Sequence, residues 1–461
     1  MIPPKPTPRP DRVSPLAYLR LFRRDILSAQ PARLYRAWMA EFRTPFFRSF
    51  LINQPELLRL VLKDRPEDFP KSNRLGEGLR PLLGNSVFLT NGTQWQRQRR
   101  IIDPAFEGGR LRGSYDAMWH AAEAAVQRLA AQAGQDDVEI EEQASHAAAD
   151  VIFRTLFSIP IQHETANAVF HAFRPHQRSR PILNLGAFLP LPRWMPRFHR
   201  ASTRATARHI RGLITQLTQA RMAQIKAGDA PDDLATKIMT TPDPETGLCF
   251  DTGEMMDQVA IFFLAGPETS ASALAWALYP LALHPQWQAR VAAEDALLDQ
   301  PDFAQVAQLR VARDVFRAAL RLYPPVPMMV RETTQPEVLR GRMAGRGAQI
   351  VLSPWHLHRH SRLWDNPDGF DPARLHTENG RACARDAYIP FSAGPRVCPG
   401  AGFAMVEGLV LLAKLCAAFD FGVQPDRVPV PVAHLTVRAR DGIYLQVRPR
   451  QACASAAVKS P

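Results

Sequence analysis

The stretch Phe391-Ser392-Ala393-Gly394-Pro395-Arg396-Val397-Cys398-Pro399-Gly400 decides the fold of this chain. Gly394 permits a backbone turn that a side chain would obstruct. Pro399 and Gly400 open an apolar run with helical spacing, which predicts that Cys398 lies at a helix N-terminus. Proline suits the first helical position, and the helix dipole stabilises an anion there. The sulfur of Cys398 is therefore predicted to be a thiolate that binds a metal.

Two further positions in this stretch indicate that the metal is a haem iron. Arg396, two residues before the sulfur, can donate charge-assisted hydrogen bonds to a haem propionate. Phe391 can screen the sulfur and so tune the redox potential of the iron. A single cysteine is more often a small buried hydrophobic residue. The matched positions within one decapeptide favour the axial ligand over that alternative.

The pattern F-x-x-G-x-R-x-C-x-G resembles the signature of the cytochrome P-450 superfamily, the haem-thiolate monooxygenases. The resemblance runs from about residue 60 to residue 448. It implies a mainly α-helical fold with a small β region, forming a single haem domain. It also implies haem b (iron protoporphyrin IX) and O2, with Gly394 and Gly400 among the residues that hold the cofactor.

Length and composition favour one large domain. The helical pattern is continuous over 461 residues, and a hydrophobic content of 46% is ample for a core. We expect residues 1–30 to form a proline-rich arm, residues 31–449 the haem domain, and residues 450–461 a disordered tail. No apolar run approaches the ~18 residues of a membrane span, and no signal-peptide segment is visible. Compared with the anchored microsomal members of the family, these features predict a soluble, cytoplasmic enzyme of the bacterial type. A monomer is taken as the default, since the sequence does not indicate an oligomeric state.

Charge and cysteine usage narrow the set of partners. Five scattered cysteines favour a reducing compartment. The formal charge of +13 is dispersed, without a nucleic-acid motif. No G-x-G-x-x-G fingerprint is present, so electrons are expected from a separate ferredoxin or flavodoxin, reduced by an NAD(P)H-dependent reductase. Candidates for docking such an acidic partner are basic residues that can equally be ordinary solvated surface: Arg97, Arg100, Arg381, Arg385 and Lys414.

A long helix is predicted to begin at Asp251-Thr252-Gly253-Glu254, an N-cap with a capping-box acid, and to end near Tyr279. Within it, residues 265–270 resemble the family's A-G-x-[DE]-T-[TS] segment, which lies over the distal haem face. The resemblance implies that Ala265 and Gly266 leave space for dioxygen. Thr269 would then hydrogen-bond bound oxygen or water, and Glu268 would supply protons.

A structural alternative exists for this segment. It can be a kinked buried helix in which Thr269 bonds a backbone carbonyl, and both interpretations can hold together. Pro267 departs from the family pattern. It removes one intrahelical bond and is expected to clash with the carbonyl of Phe263.

Arginines outside the signature are assigned by the same resemblance. Trp95 and Arg99 match a W-x-x-x-R segment, and their spacing puts them on one helical face. Arg331 follows a proline-rich turn. The family uses these positions to bind haem propionates. The alternatives are an exposed arginine-rich helix and an ordinary strand arginine.

One position breaks the family pattern. Ala318 stands where the family's E-x-x-R motif has glutamate, three residues before Arg321. That glutamate normally lies between Arg321 and the later Arg374, both of which are expected to be structural. Uncompensated buried charge costs several kcal/mol. We therefore hypothesise that Asp314, backbone carbonyls or water replace the missing carboxylate.

The predicted function is insertion of one oxygen atom from O2 into a hydrophobic small molecule, by hydroxylation or epoxidation. The expected substrate contacts are apolar and suit adaptable packing, although each can be ordinary core: Phe262, Phe263, Leu264, Val326, Met328 and Met329. One alternative is a haem-thiolate peroxygenase or isomerase/dehydratase that needs no electron donor. The other is a non-catalytic haem- or ligand-binding protein, because of Ala318 and Pro267.

Overall fold

The computed structural model describes residues 2–43, 47–178, 201–298 and 300–450. Helices dominate it, as the sequence predicts. In chain order the α-helices are α1 (Pro15–Arg24), α2 (Pro55–Arg59), α3 (Asn73–Gly76), α4 (Arg80–Leu83), α5 (Gly92–Phe106), α6 (Gly108–Gly113), α7 (Tyr115–Ala130), α8 (Ile140–Phe157), α9 (Glu164–Arg178), α10 (Ala201–Ala227), α11 (Leu234–Thr240), α12 (Thr252–Leu283), α13 (Pro285–Ala293), α14 (Arg310–Leu322), α15 (Pro354–Leu357), α16 (Glu378–Asp386) and α17 (Ala401–Ala418).

The β region is small and divided among short sheets. Its strands are β1 (Met39–Arg43), β2 (Arg48–Ile52), β3 (Val138–Glu139), β4 (Met329–Glu332), β5 (Glu337–Leu339), β6 (Arg342–Ala344), β7 (Gln349–Leu352), β8 (Phe419–Val423), β9 (Pro431–Ala433), β10 (Val437–Ala439) and β11 (Tyr444–Pro449). One sheet has the order β1-β2-β7-β4, with β2 and β7 parallel. A second has the order β3-β11-β8, and β5-β6 and β9-β10 are antiparallel hairpins. The predicted mainly α fold with a small β region is confirmed.

Helix α12 is the central element of the core. It begins with the expected capping box, in which Asp251 accepts from the Glu254 amide and Glu254 accepts from the Asp251 amide. It ends at Leu283, beyond the predicted Tyr279, and Pro267 lies inside it without ending it. Helices α8, α10, α14 and α17 pack against it. This arrangement holds the middle of α12 in the interior, facing the start of α17.

Two helices are more apolar than expected, since no membrane-length apolar run was predicted from the sequence. Among the described residues, α12 and α17 are long and apolar enough to cross a membrane by length and composition. Most of each apolar window is buried inside the protein, at 67% and 61%. Core helices of this kind satisfy the same criteria, so neither helix is evidence for a membrane span.

The N-terminal arm packs on the helical body. The hydroxyl of Tyr323 donates to the carbonyl of Pro4 at 2.8 Å, and Lys5 forms an ion pair with Asp368. Residues 15–24 of the arm form α1. At the other end, Arg450 pairs with Asp420 at 2.6 Å. The rest of the predicted tail, residues 451–461, lies outside the described residues.

Candidate active site

The cysteine loop folds back on itself before α17. The amide of Cys398 donates to the carbonyl of Phe391 at 2.9 Å, and the amide of Val397 donates to the carbonyl of Gly394 at 3.0 Å. Gly394 has a φ of +69°, and a Cβ there would lie 1.9 Å from the carbonyl oxygen of Leu62. Glycine is therefore required at this turn, both for its backbone angle and for its close approach to the neighbouring chain.

The Cys398 sulfur faces a large, mostly apolar cavity of about 1400 Å³ between α12 and α17. The side chain is accessible from the cavity. Burial raises the pKa of the Cys398 thiol, and the Gly400 amide and the Arg99 charge oppose that shift. Without a cation at the sulfur, the thiol is thus favoured over the thiolate; a bound metal cation reverses that preference.

A cluster of basic side chains lines the same cavity. Arg331 is buried, and the Arg396 guanidinium lies 4.9 Å from the Trp95 ring. The Nε atoms of Arg331 and Arg396 have no hydrogen-bond partner among the described residues. Burial, followed by the charges of Arg331 and Arg396, holds the pKa of Lys71 well below its usual range. Unsatisfied buried donors and mutual repulsion make this cluster a site for an anionic ligand.

Lys71 is a site residue that sequence reasoning missed. It forms an isolated antiparallel bridge with Arg331 and its Nζ lies 5.7 Å from the Trp95 ring. Its ammonium donates to the carbonyl of Val87 at 2.6 Å. No motif marks Lys71 in the sequence. Its role becomes visible only when β4 is placed beside residues 70–72.

Trp95 and Arg99 share one face of α5, as predicted. The Arg99 guanidinium lies 5.8 Å from the Trp95 ring. It donates to the carbonyl of Val397 at 2.7 Å and pairs with Asp103 at 2.6 Å. Arg99 thus links α5 directly to the residue before Cys398, and its charge is already balanced by a carboxylate.

The cavity, the thiol and the basic cluster together fit a haem. The thiol can ligate iron, and the unsatisfied guanidinium donors of Arg331 and Arg396 suit propionate carboxylates. Lys71 adds a third basic donor, which a bound anion would keep charged, and Trp95 supplies an aromatic surface beside it. Phe391 and Gly400 also line the cavity.

On the opposite wall, the small-residue segment of α12 faces the cavity through Ala265, Gly266 and Thr269. The Thr269 hydroxyl donates to the carbonyl of Ala265 at 2.6 Å, which is the structural alternative considered from the sequence. A Cβ at Gly266 would lie 2.7 Å from Cδ1 of Ile152. A side chain at this position would force the Ile152 side chain to shift, so glycine allows α12 to pack closely against α8, in addition to any space that it leaves for a ligand.

Glu268 does not face this cavity. Its carboxylate accepts from Arg438 Nη2 at 2.6 Å and from the Thr436 hydroxyl. It lines a second cavity of about 810 Å³ on the other side of α12, together with Pro267. The structure therefore places the predicted acid and Thr269 on different faces of the helix, one residue apart.

The six expected substrate contacts divide between the two cavities. Four of them line the cavity at Cys398: Phe262, Val326, Met328 and Met329. Phe263 and Leu264 instead line the second cavity, and the Phe263 ring lies 4.7 Å from the Phe153 ring. The structure therefore separates Phe263 and Leu264 from Phe262, contrary to the expectation that all three line one substrate pocket. The reason is that successive residues of a helix point about 100° apart.

The missing glutamate at Ala318 is replaced by backbone carbonyls. Arg321 donates to the carbonyls of residues 358, 367 and 369 at 2.8, 2.6 and 2.6 Å. Arg374 donates to the carbonyls of residues 365, 366 and 369. Asp314 pairs instead with His376 at 2.7 Å. The hypothesis that Asp314 replaces the glutamate is thus wrong. Backbone carbonyls, the second of the three hypothesised substitutes, accept the hydrogen bonds of both arginines.

Most of the basic residues expected to dock a partner are already paired. Arg97 lies 2.6 Å from Glu254, and Arg100 lies 2.6 Å from Asp243. The other contacts are Arg385 with Asp386, Lys414 with Asp295, and Arg381 with the carbonyl of His376. Paired charges contribute less to long-range attraction than unpaired ones, which weakens this set as a docking surface.

Comparisons with known proteins agree with this geometry. The Cytochrome P450 family model matches residues 39–453. The chain is 32% identical over 389 residues to the cyclooctat-9-en-7-ol 5-monooxygenase of Streptomyces melanosporofaciens, covering 82% of this chain and 81% of that protein. It is 29% identical over 427 residues to cytochrome P450 4A11 of Homo sapiens, covering 86% and 78%. The crystal structure of the cytochrome P450DA haem domain superposes with a TM-score of 0.80 at 25% identity, covering 98% of both chains.

Proposed function

Because the chain belongs to the cytochrome P450 family and is an oxidoreductase that incorporates oxygen, we propose that it is a haem-thiolate monooxygenase acting on a hydrophobic small molecule. The reaction would be hydroxylation or epoxidation. The observation that carries this proposal is one apolar cavity lined by the Cys398 sulfur, an unsatisfied basic cluster and Thr269. The bacterial subtype stays a prediction, because bacterial and human relatives both match.

The residues of the cavity have separable roles. Haem b, once bound through Cys398, supplies the oxygen and electron-transfer chemistry. Arg331, Arg396 and Lys71 would hold its propionates, whose negative charge would offset the mutual repulsion of the three side chains. The apolar wall that includes Phe262 holds the substrate and excludes water.

Proton delivery is assigned to Thr269 and Glu268. The Thr269 hydroxyl can rotate from the Ala265 carbonyl towards the cavity, where it holds a proton at Oγ1 for a ligand or a water. Glu268 reaches that face only if its carboxylate leaves Arg438 and Thr436, or if water links the two faces of α12. The second cavity beside Glu268 provides space for such water.

A separate electron donor is part of the proposal. Arg110 and Arg112 of α6 are exposed, and Leu111 between them packs beside Gly402, near the start of α17. They present positive charge near the start of α17, and we place there the binding of an acidic ferredoxin or flavodoxin with an NAD(P)H-dependent reductase. Turnover should fall steeply with added salt. Reversing both charges (R110E/R112E) should lower the low-salt rate several-fold, whereas Arg385→Glu should not; salt-independent turnover would reject this surface.

The function is tested by reconstitution. Hydrophobic alcohols, including cyclooctat-9-en-7-ol, are screened for a shift of the Soret band. Compounds that shift it are then incubated with NADPH, a ferredoxin, its reductase and 18O2. We expect one labelled oxygen atom in the product, and none with Cys398→Ala, which should not give the ferrous–carbon monoxide spectrum of a thiolate haem. Product formed with peroxide, but not with NADPH, ferredoxin and reductase, would favour a peroxygenase, and haem binding without any product would favour a non-catalytic protein.

A further inference from the structure

A buried carboxyl group on α17 is hydrogen-bonded directly to α12, beside the cavity that both residues line. Glu407 is 1% exposed, and its Oε2 accepts from the Ser270 hydroxyl at 2.6 Å. Its Oε1 has no hydrogen-bond partner among the described residues. Burial raises the pKa of Glu407 to about 8. Burial thus favours the neutral form of Glu407, and one of its oxygens is bound to α12.

The two ends of this hydrogen bond belong to the two functional walls of the cavity. Ser270 directly follows Thr269 on α12, and Glu407 lies on the helix that Cys398 precedes. Helix α17 is itself tightly packed at this point, since a Cβ at Gly408 would lie 2.3 Å from the Phe316 ring. The bond therefore ties α12 to a helix that cannot easily shift.

Pro267 explains why α12 needs an external tether here. Proline has no amide hydrogen, so the helix lacks the bond that would otherwise reach the carbonyl of Phe263. The residues that follow are held by side chains. Glu268 is bound to Arg438, and the Ser272 hydroxyl donates to the carbonyl of Val437 at 2.6 Å. Both of those hydrogen bonds connect α12 to the β9–β10 hairpin, whereas the hydrogen bond of Ser270 connects α12 to α17.

We propose that Glu407 is a positioning residue for Thr269, setting the rotation and height of α12 over Cys398 through its hydrogen bond to Ser270. The proposal rests on the proposed function, because it assigns Thr269 a role in that reaction. Glu407 acts through Ser270 and does not itself touch the reacting atoms. When the Thr269 hydroxyl is misplaced, O2 that has gained two electrons from NADPH and two protons should leave as hydrogen peroxide, and less product should form per NADPH consumed.

The test compares variants of the intact haem protein. Glu407→Gln keeps an oxygen acceptor for Ser270, whereas Glu407→Leu and Ser270→Ala remove the hydrogen bond. Ser272→Ala, which cuts a tether to the hairpin, is the matched control. Two quantities are measured: the peroxide released per NADPH consumed, and amide hydrogen exchange over residues 263–272. The second needs no turnover, so it is informative even if the proposed function fails.

We expect Glu407→Leu and Ser270→Ala to raise peroxide release several-fold and to speed exchange over residues 266–270. Glu407→Gln should stay near the parent protein in both measurements, and Ser272→Ala should raise peroxide release by less than Ser270→Ala does. Parent-like peroxide release and exchange in Ser270→Ala would overturn the proposal. So would an equal defect in Glu407→Gln and Glu407→Leu with unchanged exchange, since a hydrogen-bonded tether predicts rescue by glutamine.

The link to Pro267 is tested by a double-mutant cycle. Pro267→Ala restores the intrahelical amide donor, so α12 should then depend less on its tether. We expect Ser270→Ala to raise peroxide release less than two-fold in the Pro267→Ala background. An undiminished increase in that background would reject Pro267 as the reason for the tether.

Discussion

Arg321 and Arg374 both donate to the carbonyl oxygen of Gly369, at 2.6 and 3.3 Å. Two buried guanidinium groups thus converge on one neutral acceptor, at the place where related proteins provide a carboxylate. Burial, followed by the charges of Arg374 and Arg359, holds the pKa of Arg321 well below its usual range. These arginines organise the loop of residues 365–369, and their buried guanidinium groups repel each other, an effect that the nearby carboxylates of Asp365 and Asp368 oppose.

The repulsion between these buried arginines predicts that Ala318→Glu stabilises the protein. Ala318 lies three residues before Arg321 on α14, and the Nε atoms of Arg321 and Arg374 have no partner among the described residues. A carboxylate there can accept from both and offset their repulsion. We expect the free energy of unfolding to rise by about 1 kcal/mol, measured by chemical denaturation, since desolvation of the new carboxylate cancels part of the gain.

Two controls accompany this prediction. Ala318→Gln adds nearly the same volume without charge and should destabilise the protein. Asp314→Ala should change the free energy of unfolding by about 0.5 kcal/mol or less, because its partner His376 is largely exposed. Equal effects of glutamate and glutamine at position 318 would show that charge compensation is not the cause.

The N-terminal arm should contribute stability through Tyr323. Its hydroxyl donates to the carbonyl of Pro4, and its ring stacks on Trp276 at 4.1 Å. Tyr323→Phe is expected to cost about 1 kcal/mol in the full chain, the typical net contribution of one hydrogen bond. In a chain lacking residues 1–8 the same substitution should cost almost nothing. A similar cost in both chains would place the loss in the core and not in the arm.

Gly394→Ala should abolish haem binding. The new Cβ would overlap the carbonyl of Leu62, which lies in a π-helical turn (Leu60–Asp64), and the residue would also keep a φ of +69°. Strain of this kind typically costs several kcal/mol. Gly402→Ala is the control, since its nearest neighbour, Cδ2 of Leu111, is 3.6 Å away. Absorbance at the Soret band should be lost in the first variant and retained in the second.

Glu141 should make stability fall as the pH rises. Burial raises the pKa of Glu141 from 4.5 to about 7. Between these values the folded protein retains a proton that the unfolded chain has released, so stability is lost across this window. Glu141→Gln removes this loss and keeps an oxygen that accepts from the Ala439 amide, as Glu141 does at 2.8 Å.

The test compares pH 5 with pH 8. Relative to the parent protein, Glu141→Gln should be nearly neutral at pH 5 and more stable by roughly 2–3 kcal/mol at pH 8. The exposed neighbouring carboxylate provides a matched control, because Glu142→Gln should show no comparable pH dependence. A constant difference between Glu141→Gln and the parent at both pH values would contradict the prediction.

Local patterns in the sequence predicted several parts of the molecule correctly. The capping box at Asp251 and Glu254, the turn at Gly394 and the shared face of Trp95 and Arg99 each depend on residues close together in the chain. Backbone angles and helical periodicity act over a few residues, so the sequence alone carries them. The predicted helical fold was also correct, because the spacing of apolar residues determines which segments form helices.

Longer-range pairings were not predictable in this way. Lys71 joins the basic cluster only because it lies beside Arg331, 260 positions later in the chain. Glu268 turns away from the cavity because Arg438 meets it on the other face of α12. In the same way, Arg321 and Arg374 find carbonyl acceptors in a loop that no local pattern marks.

The sequence by itself determined the turn before Cys398, the helix that follows it and the helical class of the fold, since these follow from residue type and short-range spacing. Only the tertiary structure decided which charges are compensated and which face of α12 meets the cavity. Electrostatic compensation depends on distance in space, and segments far apart in the chain contribute to it equally.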